Sequence, residues 1–404
     1  MSSKPGGARL ADGPSMQPRW RTAFGLAAIT SMAIVIWASG QRTNGEDVAS
    51  STSGTSSSAP TPAEDDRTVA RSERDEALAR ARIWMAPKVP VAAAYFGVDP
   101  NHPRELACRF EVSTLGGTTR KFDCRLETGE TIRVKYGDGP EIPAETATTT
   151  LLRALGFGAD EVHLLERLRC YGCPDEPFLT MKAIELTRSG ALYERALDFE
   201  SFKDFEWVSI ERKWPSRPIE TEDLEGWAFF ELDKVDPARG GAPRAHVDAL
   251  RLLAIFLAHW DNKSENQRLV CLSSEWPDGS PCTDPFLLLQ DVGATFGPRK
   301  LGLESWEKVA IWQDRATCTV SMTELPHGGA TFVDARIQED GRQFLGRLML
   351  QLSERQLTDL FTSARFDQQR GLLDPSRPVT EWVRAFKRKV AAITEGPACP
   401  SSDQ

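Results

Sequence analysis

The sequence predicts an α+β protein with two lobes, a β-rich N-terminal lobe and a mainly helical C-terminal lobe. Between residues 106 and 136, apolar and polar side chains alternate, and glycine-containing turns separate the alternating segments. After residue 340, apolar side chains recur at helical spacing. Strands early in a chain and helices late in it are typical of α+β architecture. We place the N-terminal lobe at 87–212 and the C-terminal lobe at 213–397.

A β-hairpin opens the N-terminal lobe, and its sequence indicates a register centred on Gly116. The pairs in this register are Leu106 with Leu126, Cys108 with Cys124, Phe110 with Phe122, Arg109 with Asp123 and Glu111 with Lys121. Apolar pairs then share one face and opposite charges share the other, as cross-strand pairing favours. In this register Cys108 and Cys124 are close enough to form a disulfide.

A third strand follows a turn at residues 128–129, and it carries Lys135 on the face opposite its apolar side chains. A helix is predicted next, because Pro143 suits a first helical turn and Gly156 suits helix termination. Glu145 lies near the start of this helix, as does Glu141. The helix therefore offers two carboxylates as partners for the strand lysine.

Four further strands and a second helix are predicted along the chain. The strands are 162–165, 178–181, 267–272 and 286–290. The helix, at 245–258, is apolar on nearly all sides, which predicts burial. It ends directly before a polar loop, and the last two strands flank that loop.

The first 75 residues predict a membrane-directing segment and a tether. A basic segment, 1–22, precedes an uncharged apolar run, 23–39, which is close to the shortest length that spans a bilayer. The basic flank favours a cytosolic N-terminus and a globular part outside the cytosol. The run fits either a retained signal anchor or a cleaved signal peptide, with a buried soluble helix as the third alternative. Residues 40–75 are assigned to a disordered linker, and a short charged helix is predicted within 67–86.

Cysteine content and charge restrict the compartment and the partners. All eight cysteines follow the apolar run, and an even number there is typical of disulfides in an oxidising compartment, with buried thiols of a cytosolic domain as the alternative. Cys170 and Cys173 are interpreted as structural, bonded to each other or elsewhere. A bridge from Cys271 to Cys282 would close the loop between two predicted strands. The net charge of -9 disfavours a nucleic-acid partner.

The most informative segment runs from His259 to Asn266 and has the spacing H-x-D-x-K-x-x-N. Phosphoryl transfer needs a carboxylate that orients the attacking hydroxyl and an amide oxygen that holds a metal. Asp261 and Asn266 offer these two groups, and Lys263 lies between them. Asp291, followed by Val and Gly, ends a predicted strand and is a candidate metal ligand. Polar turns are the alternative interpretation of both segments.

Across about residues 106–297, the order of these residues resembles the protein-kinase-like superfamily. The resemblance implies roles for six residues: Asp261 orients and deprotonates the attacking hydroxyl, Lys263 steadies the phosphoryl group, Asn266 and Asp291 bind Mg²⁺ or Mn²⁺, and Lys135 holds the α/β-phosphates and pairs with Glu145. Gly116 and Gly117, in the hairpin loop, would cover phosphates, although this loop is not G-x-G-x-x-G. No A-P-E signature follows Asp291.

The stretch 291–297 resembles the D-x-G-x-x-F-G sequence of atypical kinases, such as the lipid-kinase-like and HipA-type groups. A disulfide-bonded kinase outside the cytosol also resembles the secretory-pathway kinases. The resemblance implies a bilobal, kinase-like enzyme that is tethered to a membrane by its N-terminal helix, or secreted if the signal is cleaved. It would work in a periplasmic, extracellular or lumenal compartment.

The implied reaction moves the γ-phosphate of ATP to a hydroxyl of a protein or small-molecule acceptor, with Mg²⁺ or Mn²⁺ as the cofactor metal. Transfer of AMP would use the same carboxylates and metal. Two further alternatives are an inactive nucleotide-binding scaffold and a disulfide-stapled surface interaction domain. In the second alternative, Asp261 and Asp291 would be turn residues.

Overall fold

The computed structural model describes residues 68–97, 103–273, 276–277, 280–298, 301–325, 332, 334–368 and 376–400. The predicted cytosolic segment 1–22, the apolar run 23–39 and the linker up to residue 67 lie outside these ranges. Within them, no helix combines the length and the apolar character needed to cross a membrane. Helix α1 (Arg71–Ala79) begins inside the segment assigned to the linker. Its side chains Ala77 and Leu78 are buried in the same core as the C-terminal helices.

The N-terminal lobe is built on a closed five-stranded barrel in the order β1-β2-β3-β6-β5. Its strands are β1 (Glu105–Glu111), β2 (Lys121–Leu126), β3 (Thr131–Lys135), β5 (Glu161–Tyr171) and β6 (Phe202–Arg212). Neighbouring strands are antiparallel except β1 and β5, which are parallel. Alternate side chains point into the barrel, where Phe122, Ile132, Val134 and Val208 are buried together.

The hairpin register differs from the predicted one by two residues. The observed partners are Cys108 with Leu126, Arg109 with Arg125, Phe110 with Cys124 and Glu111 with Asp123. The pairing is therefore centred on Gly117, whose φ of 67° favours glycine. Because side chains alternate with a period of two, this slip keeps each of them on its predicted face.

The slip changes which side chains meet across the hairpin. Cys108 and Cys124 do form a disulfide, but they are diagonal neighbours with Cα atoms 5.7 Å apart. The predicted ion pairs across β1 and β2 are wrong. Asp123 instead accepts hydrogen bonds from Arg133 of β3 at 2.9 and 3.0 Å. Lys121, the predicted partner of Glu111, lies opposite Lys135 of β3.

Helix α2 (Glu141–Leu155) has the predicted boundaries. Pro143 lies in its first turn, and Gly156 ends it with a φ of 90°. The predicted strand at 178–181 is wrong, because helix α3 (Pro177–Thr187) covers it. Pro177 occupies the first turn, and the buried side chains of α3 recur every three residues, which is a helical period that four residues are too few to show. A short helix, α4 (Gly190–Arg195), follows.

The C-terminal lobe contains a four-stranded sheet in the order β4-β9-β8-β7 and most of the helices. Its strands are β4 (Gly158–Ala159), β7 (Arg217–Pro218), β8 (Gln267–Cys271) and β9 (Pro285–Leu289). Helix α5 (Arg244–Leu257) is buried along its length from Val247, as predicted. The remaining elements are α6 (Leu303–Lys308), β10 (Thr319–Val320), β11 (Ala335–Arg336), α7 (Glu339–Met349), α8 (Glu354–Ser363) and α9 (Val379–Thr394). The mixed α+β class is therefore confirmed.

All eight cysteines are paired in four disulfides. Cys170 bonds Cys173, and Cys271 bonds Cys282, so the expected closure of the loop between β8 and β9 is present. The remaining pair, between residues 318 and 399, joins segments 81 residues apart. The sequence did not indicate this last pairing, because its partners are distant along the chain.

Candidate functional site

Three carboxylates surround the ammonium group of Lys135 where the two lobes meet. Its Nζ atom donates to Glu145 Oε1 at 2.6 Å and to Asp291 Oδ1 at 3.2 Å. Glu211 Oε2 lies 3.7 Å from the same nitrogen. The four side chains come from β3, α2, β6 and the loop after β9. Tertiary folding thus brings carboxylates from three separate parts of the chain onto one lysine.

Glu145, and not Glu141, is the helix residue that pairs with Lys135. The Lys135 and Glu145 side chains are only 3% and 2% exposed. Glu141 instead accepts a hydrogen bond from Thr119 of the hairpin loop. The space around Lys135, between the hairpin loop and the loop of Asp291, is the cleft between the two lobes. The first turn of α2 therefore holds the hairpin loop above this cleft, and the next turn holds the lysine inside it.

Burial and charge act against each other in this cluster. Burial opposes the charged form of Lys135, but Asp291, Glu145 and Glu211 outweigh it and raise the pKa of Lys135 well above its usual value. Burial raises the pKa of Glu145 to about 8, and Glu211 and Asp291 add to this effect while Lys135 opposes it. Lys135 lowers the pKa of Asp291 to about 2, against the effect of burial. Asp291 is therefore a carboxylate at neutral pH.

The loop that carries Asp291 is fixed in an unusual backbone conformation against α2. Asp291 has a φ of 43°, in the left-handed region that side chains other than glycine seldom adopt, and such strain is concentrated at functional sites. Its side chain remains 40% exposed towards the cleft. A Cβ atom on Gly293 would lie 3.1 Å from Glu141 Cβ, so glycine permits this close approach. The hydroxyls of Thr148 and Thr295 are hydrogen-bonded at 2.7 Å and hold the loop to the helix.

The predicted catalytic loop begins where α5 ends, and its first residue is buried. Ala258 has a left-handed conformation that turns the chain out of the helix. The backbone N–H of His259 donates to the carbonyl of Ala254 at 2.9 Å. Burial lowers the pKa of His259 to about 4, so the ring is neutral, and it packs edge-on to Phe229 with centroids 6.0 Å apart. His259 is thus a packing residue that fixes the start of the loop.

Hydrogen bonds join the rest of this loop to the segment that carries Asp291. Asn266 Nδ2 donates to the carbonyl of Asp261 at 2.6 Å. The N–H of Gln290 donates to the carbonyl of Asn266 at 2.9 Å. Asp261 is half-buried, and Lys263 is exposed, yet its charge helps to lower the pKa of Asp291. The two predicted motif segments therefore form one continuous wall of the cleft.

The donor set fits a hard divalent cation such as Mg²⁺ or Mn²⁺. The carboxylate of Asp291 is ionised and partly exposed. The amide nitrogen of Asn266 is engaged with Asp261, which leaves the amide oxygen as the available ligand atom. Carboxylate and amide oxygens are the ligands these cations prefer. The clustered sulfurs of Cys108, Cys124 and Cys170 are different, because disulfide sulfurs lack the thiolate that binds metal.

The hairpin loop forms the roof of the cleft, although it lacks the glycine pattern of typical kinases. A side chain on Gly116 would meet open space, whereas Gly117 needs its positive φ. Lys182 of α3 donates to the carbonyl of Leu115 and supports the loop from outside.

Two charged residues near Lys135 were not identified from the sequence. Glu211 lies in the stretch 204–235, whose elements the sequence pattern did not reveal. Lys121 was assigned to the charged outer face of the hairpin. Continuing the β2–β3 pairing from the turn at Thr128-Gly129 would have placed it opposite Lys135, as observed.

Comparisons with known proteins give similarity to solved structures, but no match to a family model or to a curated protein. No family model matches the chain, and no curated protein matches it. Among solved structures, the chain is similar to a proinflammatory kinase, CtkA, of Helicobacter pylori, with 8% identity and a TM-score of 0.40. The similarity covers 72% of this chain and 96% of that chain. Both the identity and the TM-score are low, and the function is therefore inferred from the geometry of the site.

Proposed function

We propose that this chain is a kinase-like, metal-dependent phosphotransferase. It binds ATP between its two lobes and transfers the γ-phosphate to a hydroxyl group of a protein or a small molecule. The observation that carries this proposal is the convergence of Lys135, Glu145 and Asp291, within hydrogen-bonding distance, beside the loop that contains Asp261. A buried lysine held by a helix glutamate, next to a metal-binding aspartate, is the arrangement that protein kinases use for phosphoryl transfer.

The ionised carboxylate of Asp291 supports a bound cation at this site. Lys135 faces the three carboxylates of Glu145, Glu211 and Asp291 in a largely buried setting. Burial keeps Glu145 largely protonated near neutral pH, whereas Asp291 is ionised and partly exposed. Asp291 and Asn266 would hold the divalent metal, which supplies positive charge against the phosphate oxygens when it is bound.

Three further side chains, Glu145, Asp261 and Lys263, have separate roles in the proposed reaction. Glu145 keeps the lysine ammonium oriented while the Lys135 contact to Asp291 is exchanged for phosphate oxygens. Asp261 orients the acceptor hydroxyl and takes its proton as the new O–P bond forms and the bond to the leaving nucleotide breaks. Lys263, on the exposed side of the loop, offsets negative charge on the transferred group.

We also propose that the globular part works outside the cytosol. All eight cysteines are in disulfides, which persist in oxidising compartments. The apolar run 23–39 would anchor the chain or direct its export, with residues 1–22 on the cytosolic side. The enzyme would then need ATP in that compartment.

Asp261→Asn in the purified full chain, kept oxidised, tests the proposed chemistry. We expect transfer of labelled γ-phosphate to fall by about 100-fold or more, since general-base catalysis contributes at least that factor. ATP with Mn²⁺ should still raise the melting temperature of this variant. Asp291→Ala should lose that stabilisation, because it removes a metal ligand. Glu265→Gln removes an exposed charge from the same loop and should behave like the wild type.

Three outcomes separate the alternatives. Stabilisation of the wild type by ATP and Mn²⁺ without any transfer would support a nucleotide-binding scaffold. Absence of stabilisation of the wild type would contradict a nucleotide site and favour a disulfide-stapled interaction domain, and equal stabilisation of Asp291→Ala would contradict the role of Asp291 as a metal ligand. Labelling by α-phosphate-labelled ATP, with none from the γ-labelled form, would indicate transfer of AMP.

A further inference from the structure

Lys121 is a buried lysine in the roof of the cleft, opposite the lysine already described. It pairs with Lys135 in the β2–β3 register, so both side chains lie on the same face of the barrel wall. Lys121 is only 6% exposed. Its Nζ atom lies under the hairpin loop, 3.5 Å from the position that a Cβ atom on Gly117 would occupy. The ammonium group therefore lies between the loop and the carboxylate cluster.

Among the described residues, Lys121 has no directly bonded counter-ion, although the carboxylates of Asp291 and Glu211 are near enough to affect it. In the part of the chain that the structure describes, Lys121 makes no ion pair and no side-chain hydrogen bond. Burial lowers the pKa of Lys121, and repulsion by Lys135 and Arg133 adds to this, while Asp291 and Glu211 act in the opposite direction. A lysine that stays nine-tenths buried without a partner is energetically unfavourable. Its position is explained if a ligand brings the missing negative charge.

We propose that Lys121 is a second phosphate-binding lysine, which contacts the β- and γ-phosphates of the nucleotide from above. This inference rests on the proposed function and specifies how that site recognises its donor. The loop at 113–119 lacks the glycine pattern that lets backbone N–H groups wrap around phosphates. A side-chain cation beneath Gly117 takes over part of that role. Specificity then depends on the polyphosphate, more than on the nucleoside.

Charge complementarity supports this occupant over a neutral one. Lys121 and Lys135 place two cations on one wall of the cleft, and the Asp291 carboxylate lies on the other. A polyphosphate chain with a bound divalent metal matches that pattern, because its oxygens face the lysines and its metal faces Asp291. An uncharged substrate would leave both the repulsion between the lysines and the buried charge in place.

Ligand binding by the full chain, measured by calorimetry with Mn²⁺ present, tests this proposal with Lys121→Gln. We expect its affinity for ATP and for ADP to fall by roughly 10- to 100-fold, the effect of one lost hydrogen bond between charged groups. Binding of adenosine should change by less than about twofold. Arg120 precedes Lys121 in the chain, and its side chain is 57% exposed. As the control, Arg120→Gln removes one positive charge at this exposed position and should leave the ATP affinity unchanged.

The melting temperature without ligand gives a second, independent readout. Lys121→Gln should melt at the same temperature as the wild type or higher, because it removes a buried, unpaired charge. A lower melting temperature together with unchanged ATP affinity would overturn the proposal and make Lys121 a structural residue. Equal losses for adenosine and ATP would also overturn it. If the wild type binds none of these ligands, the proposed function fails, and this inference fails with it.

Discussion

At the scale of single residues, burial and the charge of Lys135 shift the pKa of Glu145 in opposite directions. Its side chain is buried, and its nearest cation is Lys135 at 2.6 Å. Burial and the neighbouring carboxylates nevertheless raise its pKa to about 8. Near neutral pH the cluster therefore retains a proton that an exposed glutamate would have lost. Binding a metal and a polyphosphate changes this balance, so the cluster is sensitive to both pH and ligand.

The raised pKa of Glu145 predicts how stability depends on pH. The folded state binds more protons than the unfolded state between pH 4.5 and about 8, so this contribution is complete below pH 4.5 and is lost as pH rises through about 8. We expect the melting temperature of the wild type to fall across this window relative to that of Glu145→Gln, by on the order of 5 °C. Differential scanning calorimetry at several pH values measures this difference.

The comparison with Glu145→Gln isolates one group from its neighbours. Lys135, Glu211 and Asp291 face the same cluster from β3, β6 and the loop after β9, and they are present in both proteins. Buried groups elsewhere, such as Asp160 and His259, also titrate in both. Parallel melting curves from pH 5 to 8 would contradict the retained proton.

Helix α1 shows, at the scale of elements, how a segment that follows a polar linker becomes part of the core. Arg74 donates to Glu231 at 2.8 and 3.1 Å and to the carbonyl of Gly226 at 2.7 Å. The arginine is fully buried, and Glu231 is nearly so. The sequence of α1 is charged and suggests an exposed helix, but this bidentate pair satisfies its central charge.

Arg74→Ala should destabilise the protein by about 3 kcal/mol, because it leaves the Glu231 carboxylate buried without its main partner. Chemical denaturation monitored by tryptophan fluorescence measures the loss. Arg71→Ala is the matched control, since Arg71 is on the same helix, is 66% exposed and makes only a long contact to Asp223. That variant should lose less than about 1 kcal/mol. An equal loss of stability in both variants would show that the buried Arg74–Glu231 pair stabilises the protein no more than an exposed contact does.

At the scale of the whole molecule, the four disulfides cross-link both lobes, two in each. Cys108–Cys124 and Cys170–Cys173 lie in the barrel lobe, and Cys271–Cys282 closes the loop between two sheet strands. Cys318–Cys399 joins the segment after α9 to a segment beside β10. The N–H of Cys399 also donates to Glu339 at the start of α7. The segment after α9 is thus fixed to the helical lobe.

Replacing both members of a disulfide by Ala should cost more for the long loop than for the short one. Loop-closure entropy predicts about 4 kcal/mol for Cys318–Cys399 and roughly 2 kcal/mol for Cys170–Cys173. Their sequence separations are 81 and 3 residues. Urea denaturation under oxidising conditions tests the order. A greater loss for the short loop would mean that local packing in the barrel, and not chain entropy, dominates.

The sequence by itself determined which residue types are present and how they are spaced locally. Helix α2 follows from the helical spacing of its apolar residues with Gly156 as a stop signal, and helix α5 follows from a long segment that is apolar on nearly all sides. Lys135, Glu145, Asp261, Asn266 and Asp291 could be selected because their order along the chain resembles that of the protein-kinase-like superfamily. Local spacing allows these predictions, since it decides which residues share a face or a loop. Prediction from spacing failed at 178–181, where four residues were too few to distinguish a helix from a strand.

Only the tertiary structure decided which of these residues meet. The choice of Glu145 over Glu141, the approach of Glu211 and the position of Lys121 depend on strand register and on the packing of α2 against the loop of Asp291. The diagonal Cys108–Cys124 bond depends on a two-residue slip that leaves the face pattern unchanged, so periodicity cannot detect it. Contacts between distant segments are fixed by packing the whole chain, and the site at Lys135 consists entirely of such contacts.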